Sequence, residues 1–154
     1  MTLARQLGWI AASDTKAGFI FAMSTAMLGL LASAAPPYGS WTALGVCLTT
    51  VASLLLLAGV GSVVLTIFPR TKGPKLSVIF FGGIVNTGVD GFRSAIQSLT
   101  DETYEEDLTQ QCHINATYAA RKYFWVKVAS VLLAVSVIPW LSAAYTLFRD
   151  AHIK

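Results

Sequence analysis

Polar and apolar positions in this chain are separated by stretch rather than alternated along it. Residues 17–35, 41–68 and 128–148 contain no Asp, Glu, Lys or Arg. A helix that crosses a bilayer needs about 20 predominantly apolar residues, each rising 1.5 Å. All three stretches meet that length, and the second is long enough to tilt or protrude. The pattern therefore predicts an all-α membrane protein of three transmembrane helices. Residues 69–127, between the second and third spans, are the one long stretch that water tolerates, and any sensing of a soluble molecule belongs there. The expected organisation is residues 1–68 as an N-terminal interfacial segment plus transmembrane hairpin, with spans at about 17–35 and 41–68. Residues 69–127 form a cytoplasmic sensing segment, and residues 128–154 form the third transmembrane helix with a short external tail.

Finer patterning adds local expectations. Residues 2–16 read as a helix leading into the first span, with Trp9 as an interfacial anchor. Ala22, Ala26 and Gly29 share a face at helical spacing. Small residues let helices approach closely in lipid, so this face reads as packing within one subunit, with contact between subunits as the alternative. Pro36-Pro37-Tyr38-Gly39 ends the helix in a turn. Pro69 marks the exit from the second span. Residues 76–84 are apolar but too short to span, and read as a strand or an interfacial piece. Gly82-Gly83 should end that piece, Gly88, Asp90 and Gly91 should keep the chain irregular, and residues 92–99 should form a short helix. From Asp101 a long helix is expected to run directly into the third span, its acidic start (Asp101, Glu102, Glu105, Glu106, Asp107) suiting the positive end of the helix dipole.

Composition supports the membrane assignment. Of 154 residues, 55% are hydrophobic and 12% charged, and mean hydropathy is +0.61. A small soluble domain has too much surface for its interior to hide so much apolar area. Charge then sets an orientation. With three spans, the N-terminus and residues 69–127 share a side carrying nine of the eleven Lys and Arg, whereas Arg149 and Lys154 lie opposite. The positive-inside rule makes the first side cytoplasmic, and the C-terminus periplasmic. The net charge of +3 is too small and dispersed for nucleic-acid duplex binding.

No catalytic set is visible. The two histidines are expected on opposite sides of the membrane, no Cys/His spacing suits a metal, and there is no phosphate loop or nucleophile elbow. An enzyme, a metal or a bound cofactor is not expected. The spans lack the charges that proton relays and ion-coupled transporters place in the membrane. Two features remain. Asp14 and Lys16, at the mouth of the first span, are two residues apart and point away from each other on a helix. Each needs another partner: solvent, a lipid headgroup, another helix or a ligand. Ahead of the third span, Tyr118, Arg121, Lys122 and Tyr123 combine basic and aromatic groups. Such residues are ordinary juxtamembrane anchors. They also suit a small anionic ligand, with cations on a phosphate and a ring on a base.

Three separated stretches carry a family resemblance. They are Asp14-Thr15-Lys16-Ala17, Phe68-Pro69-Arg70 followed by Ser77-Val78-Ile79-Phe80-Phe81-Gly82, and Ala120-Arg121-Lys122-Tyr123. In order and placement they resemble the small transmembrane effectors of the bacterial Pycsar anti-phage system. The resemblance implies a cytoplasmic ligand, cUMP or cCMP, made by a uridylate or cytidylate cyclase in the infected cell. It also implies disruption of the inner membrane and abortive infection. Asp14, Lys16, Arg70, Lys122 and Tyr123 match recurring polar positions of that family. The expected partners are the cyclic pyrimidine mononucleotide, membrane lipids and further copies of the chain. The alternative is a constitutive membrane scaffold or channel subunit with a cytoplasmic interaction helix.

Overall fold

The computed structural model describes residues 2–37, 39–68, 73–74 and 77–152, with side chains of residues 3–37, 39–68, 73–74 and 77–150. The described residues form four helices: α1 (Thr2–Ser33), α2 (Ala43–Ile67), α3 (Phe81–Gln97) and α4 (Asp101–His152). There is no strand among the described residues. Among the described residues, three helices are long and apolar enough to cross a membrane, over Leu3–Ser33, Ala43–Ile67 and Asp101–Asp150. The predicted all-α architecture is thus the observed one, including the continuous helix from Asp101 through the third apolar stretch, with Pro139 inside it.

The chain divides into two compact units. One comprises Ser13–Ile67 and Lys122–Lys154, and contains most of the apolar helix. Its buried positions recur at steps of three, four or seven residues: Ser13, Ala17, Ile20, Ser24, Met27 and Leu31 on α1, Ala52, Leu56, Gly59, Val63 and Thr66 on α2, and Val126, Ala129, Ser136, Ala143 and Leu147 on α4. That spacing keeps one stripe facing its neighbours along the whole length of a helix. Ala17, Ile20, Val63, Val126 and Ala129 form one core cluster, and Leu31, Ala52, Ala143 and Leu147 a second.

The buried face of α1 is not the predicted one. Ala22, Ala26 and Gly29 are exposed. Packing within the chain instead uses the stripe through Ala17, Ser24 and Leu31, whose mixed small and branched residues interlock with the other helices. Hydroxyls are carried in this apolar setting by bonding back to their own helix: Ser62 Oγ donates to the Ala58 carbonyl (2.9 Å), Thr66 Oγ1 to Ser62 (3.0 Å) and Ser130 Oγ to Val126 (2.9 Å). Two long-range bonds fix the helix ends. Trp140 Nε1 donates to the Met27 carbonyl at 2.9 Å. Thr42 Oγ1 accepts from the Gly45 amide, capping α2, and donates to Asp150 Oδ2 at 2.9 Å.

The other unit comprises Met1–Ala12 and Phe68–Arg121. Here the glycine-rich stretch departs from expectation. Gly82 and Gly83 do not end an element; they lie in the first turn of α3, which starts at Phe81. Gly83 is required by proximity, since a Cβ there would lie 2.6 Å from the Ser77 carbonyl oxygen. The expected irregularity is confined to Gly88, whose φ of 69° breaks the helix in the left-handed region glycine tolerates. Residues 78–80 are bends and residues 81–84 belong to α3, so the described part of residues 76–84 is not a strand.

Asp107 organises that segment. Its Oδ2 accepts from Ser77 Oγ and from the Val78 amide, both at 2.9 Å. Ser77 Oγ in turn accepts from the amides of Ile79 (3.1 Å) and Phe80 (2.8 Å). One carboxylate on α4 therefore holds the lead-in to α3. Hydrogen bonds to charged groups contribute about 1.5–3 kcal/mol each, so Asp107→Ala should release residues 77–80. Hydrogen exchange at Val78, Ile79 and Phe80 should accelerate at least tenfold, with α1 and α2 unchanged.

Candidate functional site

In the Ser13–Ile67 and Lys122–Lys154 unit, the helices bring together four of the residues singled out in the sequence. Asp14 lies within α1, with helix on both sides, and no proline interrupts the chain between Leu3 and Ser33. It faces Lys122 on α4. Lys122 Nζ donates to Asp14 Oδ1 at 2.6 Å and to Oδ2 at 2.8 Å. The lysine side chain is 20% exposed and the aspartate 42%, so this ion pair sits at a water-accessible boundary. Two residues on, Lys16 points elsewhere, as helix geometry requires. Its ammonium lies 5.6 Å from the centroid of the Tyr123 ring, within the range of a cation–π contact. The cation is not matched by a carboxylate among the described residues.

The result is two cations, one carboxylate and one aromatic face, contributed by two helices joined by an ion pair. Lys16 offers a positive charge that no carboxylate among the described residues matches. Lys122 offers a second, if an anion displaces the Asp14 carboxylate. Asp14 offers an acceptor for a hydroxyl or amine. Tyr123 offers a flat surface that Lys16 now covers.

The remaining candidates fall elsewhere. Tyr118 belongs to the other unit and lines a groove of about 390 Å³ with Gly73, Pro74, Gln110, His113 and Thr117. Arg121 belongs to that unit as well and is exposed. Arg70 lies outside the described residues. Sequence reasoning missed Asp107, which it assigned to a solvated helix start, and it missed the groove beside Tyr118. The signal for the groove was present: Gln110, His113 and Thr117 recur at helical spacing ahead of Tyr118. Beside it, Gln111 and Asn115 are buried and bonded to each other at 3.3 Å.

Fold and cluster together define a helical membrane protein with a polar boundary site joining its first and last helices. The family model of the Pycsar effector protein domain, PycTM, matches residues 1–149: the chain belongs to the Pycsar effector family. It is 25% identical over 126 residues to the Pycsar effector protein PtPycTM of Propioniciclava tarda. That match covers 76% of this chain and 62% of the relative, so the chain accounts for less than two thirds of the relative's length. No solved structure matches the chain.

Proposed function

We propose that this chain is an anti-phage effector that binds a cyclic pyrimidine mononucleotide, cUMP or cCMP, and then breaches the bacterial inner membrane. The observation that carries this is family membership across residues 1–149. The Asp14–Lys122 and Lys16–Tyr123 contacts support a binding place. The nucleotide brings one negative charge, a ribose hydroxyl and a flat base. Lys16 is the first cation for the phosphate, Asp14 accepts from the ribose, and Tyr123 stacks on the base once Lys16 turns toward the anion. Arg70, Arg121 and Tyr118 remain separate candidates for contact with an anionic ligand.

The charge bias puts the N-terminus and residues 69–127 in the cytoplasm, where a cyclase in the infected cell releases its product, and the C-terminus in the periplasm. A ligand shifts a conformational equilibrium only by binding one state better. Competition between phosphate and Asp14 for Lys122 supplies that difference, because it loosens the tie between α1 and α4. Three helices do not enclose a wide pore, so disruption requires several copies, and the exposed Ala22, Ala26 and Gly29 face is the candidate contact.

The test is direct. Detergent-solubilised protein should bind cUMP or cCMP, and should not bind cAMP or cGMP, by calorimetry. Lys16→Ala and Arg70→Ala should each lose nucleotide-induced dye release from liposomes while still inserting. Absence of binding by folded protein would remove the sensor reading, and unimpaired Lys16→Ala would move the site.

A further inference from the structure

An apolar groove of about 560 Å³ runs between α1 and α4, lined by Phe19, Met23 and Met27 on one side and Leu133, Ala134 and Val137 on the other. Lys16 stands at one end of it. Phe19 is 65% exposed and Met23 42%, so the groove is open along its flank. Eleven helical steps lead from Lys16 to Met27, about 16 Å of rise. One leaflet of a bilayer has about the same depth, half of a roughly 30 Å hydrocarbon core. A hydrocarbon chain lying along the bilayer normal would meet this apolar lining over its whole depth. The ammonium at the end has no carboxylate partner among the described residues, and the lining below it is apolar.

We propose that this groove binds one acyl chain of an anionic phospholipid whose phosphate is held by the Lys16 ammonium. Charge complementarity selects the headgroup, and the leaflet-deep apolar lining selects a lipid over free phosphate. The site stands whether or not a nucleotide also binds. If both occur, they meet at Lys16, so a bound lipid opposes the nucleotide's phosphate and sets the threshold of the response.

Native mass spectrometry of the full chain, released from nanodiscs of equimolar phosphatidylglycerol and phosphatidylcholine, tests this. One phosphatidylglycerol should be retained per chain, with a preference of about fivefold, the size expected for one lysine near anionic headgroups. Lys16→Gln should keep a lipid but lose the preference, and Lys16→Arg should restore it. Ala134→Phe, which fills the groove, should lose both lipids. Circular dichroism checks its helicity, and Val137→Phe replaces it if it does not fold. Equal retention of the two lipids by the native chain, or unchanged retention by both filled variants, would overturn the proposal. So would displacement of the lipid by millimolar glycerol phosphate, which marks a free-phosphate site. A lipid-free dimer that the filled variants dissociate would assign the groove to a second copy instead.

Discussion

Lys122→Ala is expected to abolish the nucleotide response while leaving a folded, membrane-inserted protein. The two halves of that outcome have different causes. Removing the ammonium leaves the Asp14 carboxylate without its partner at 2.6 and 2.8 Å. That carboxylate is 42% exposed, so water replaces much of what is lost. Ion pairs of this exposure typically contribute about 0.2–1 kcal/mol, too little to unfold helices held by the core around Ala17 and Ala129. The response is lost because, in the proposed switch, the phosphate must draw Lys122 from the Asp14 carboxylate; without Lys122 the nucleotide has nothing to draw, and an ion pair worth about 0.2–1 kcal/mol is too weak for its loss alone to separate α1 from α4. A reversed pair, Asp14→Lys with Lys122→Asp, separates the two effects. It should recover the lost stability in thermal melts and still fail to release dye from liposomes, because the cation is now on the wrong helix. Full dye release by Lys122→Ala would show that the ion pair only holds the helices together. Stability unchanged in Lys122→Ala and in the reversed pair would show that it does not do even that.

The reach of the sequence can be traced through the same residues. The three apolar helices were legible because an uncharged run of bilayer length has few other solutions. Asp14 and Lys16 were legible as a problem: two charges on diverging faces at a membrane mouth, each needing a partner. The partners were beyond reach, because Asp14 and Lys122 lie 108 positions apart and either cation before the third span would have served. Asp107 was hidden for the opposite reason. A local cause, the helix dipole, already accounted for an acid there and masked the bond to Ser77. Gly82-Gly83 was misread because glycine usually ends an element, whereas Gly83 permits backbone contact with residue 77 inside one. On α1, small residues suggested the packing face, but the stripe that packs is set by three- and four-residue recurrence through Ala17, Ser24 and Leu31.

Gly59→Leu is expected to separate the helices and breach the membrane without any nucleotide. Gly59 sits on the buried stripe of α2. A Cβ added there would lie 3.8 Å from Leu132 Cβ, 3.9 Å from the Ala129 carbonyl oxygen and 3.9 Å from Ser24 Oγ. Those are ordinary contact distances, so Gly59→Ala should fit and gain about 0.5–1 kcal/mol through its better helix propensity. Leucine adds three more carbons where Ala129 is fully buried and Ser24 is fully buried, and the site has no slack. Overpacking of this kind costs about 1–3 kcal/mol, and the strain is relieved only by moving α2 away from α1 and α4. Gly61 supplies the control, being exposed with nothing within 4 Å of an added Cβ; Gly61→Leu should melt no lower than the native chain, gaining the same helix propensity, and stay silent. The measurement is dye release from liposomes without ligand, beside thermal melts of the three variants. Leakage from Gly59→Leu alone would connect helix separation to membrane damage. A destabilised Gly59→Leu that does not leak would leave the packing face correct and break the proposed link between helix separation and breaching the bilayer.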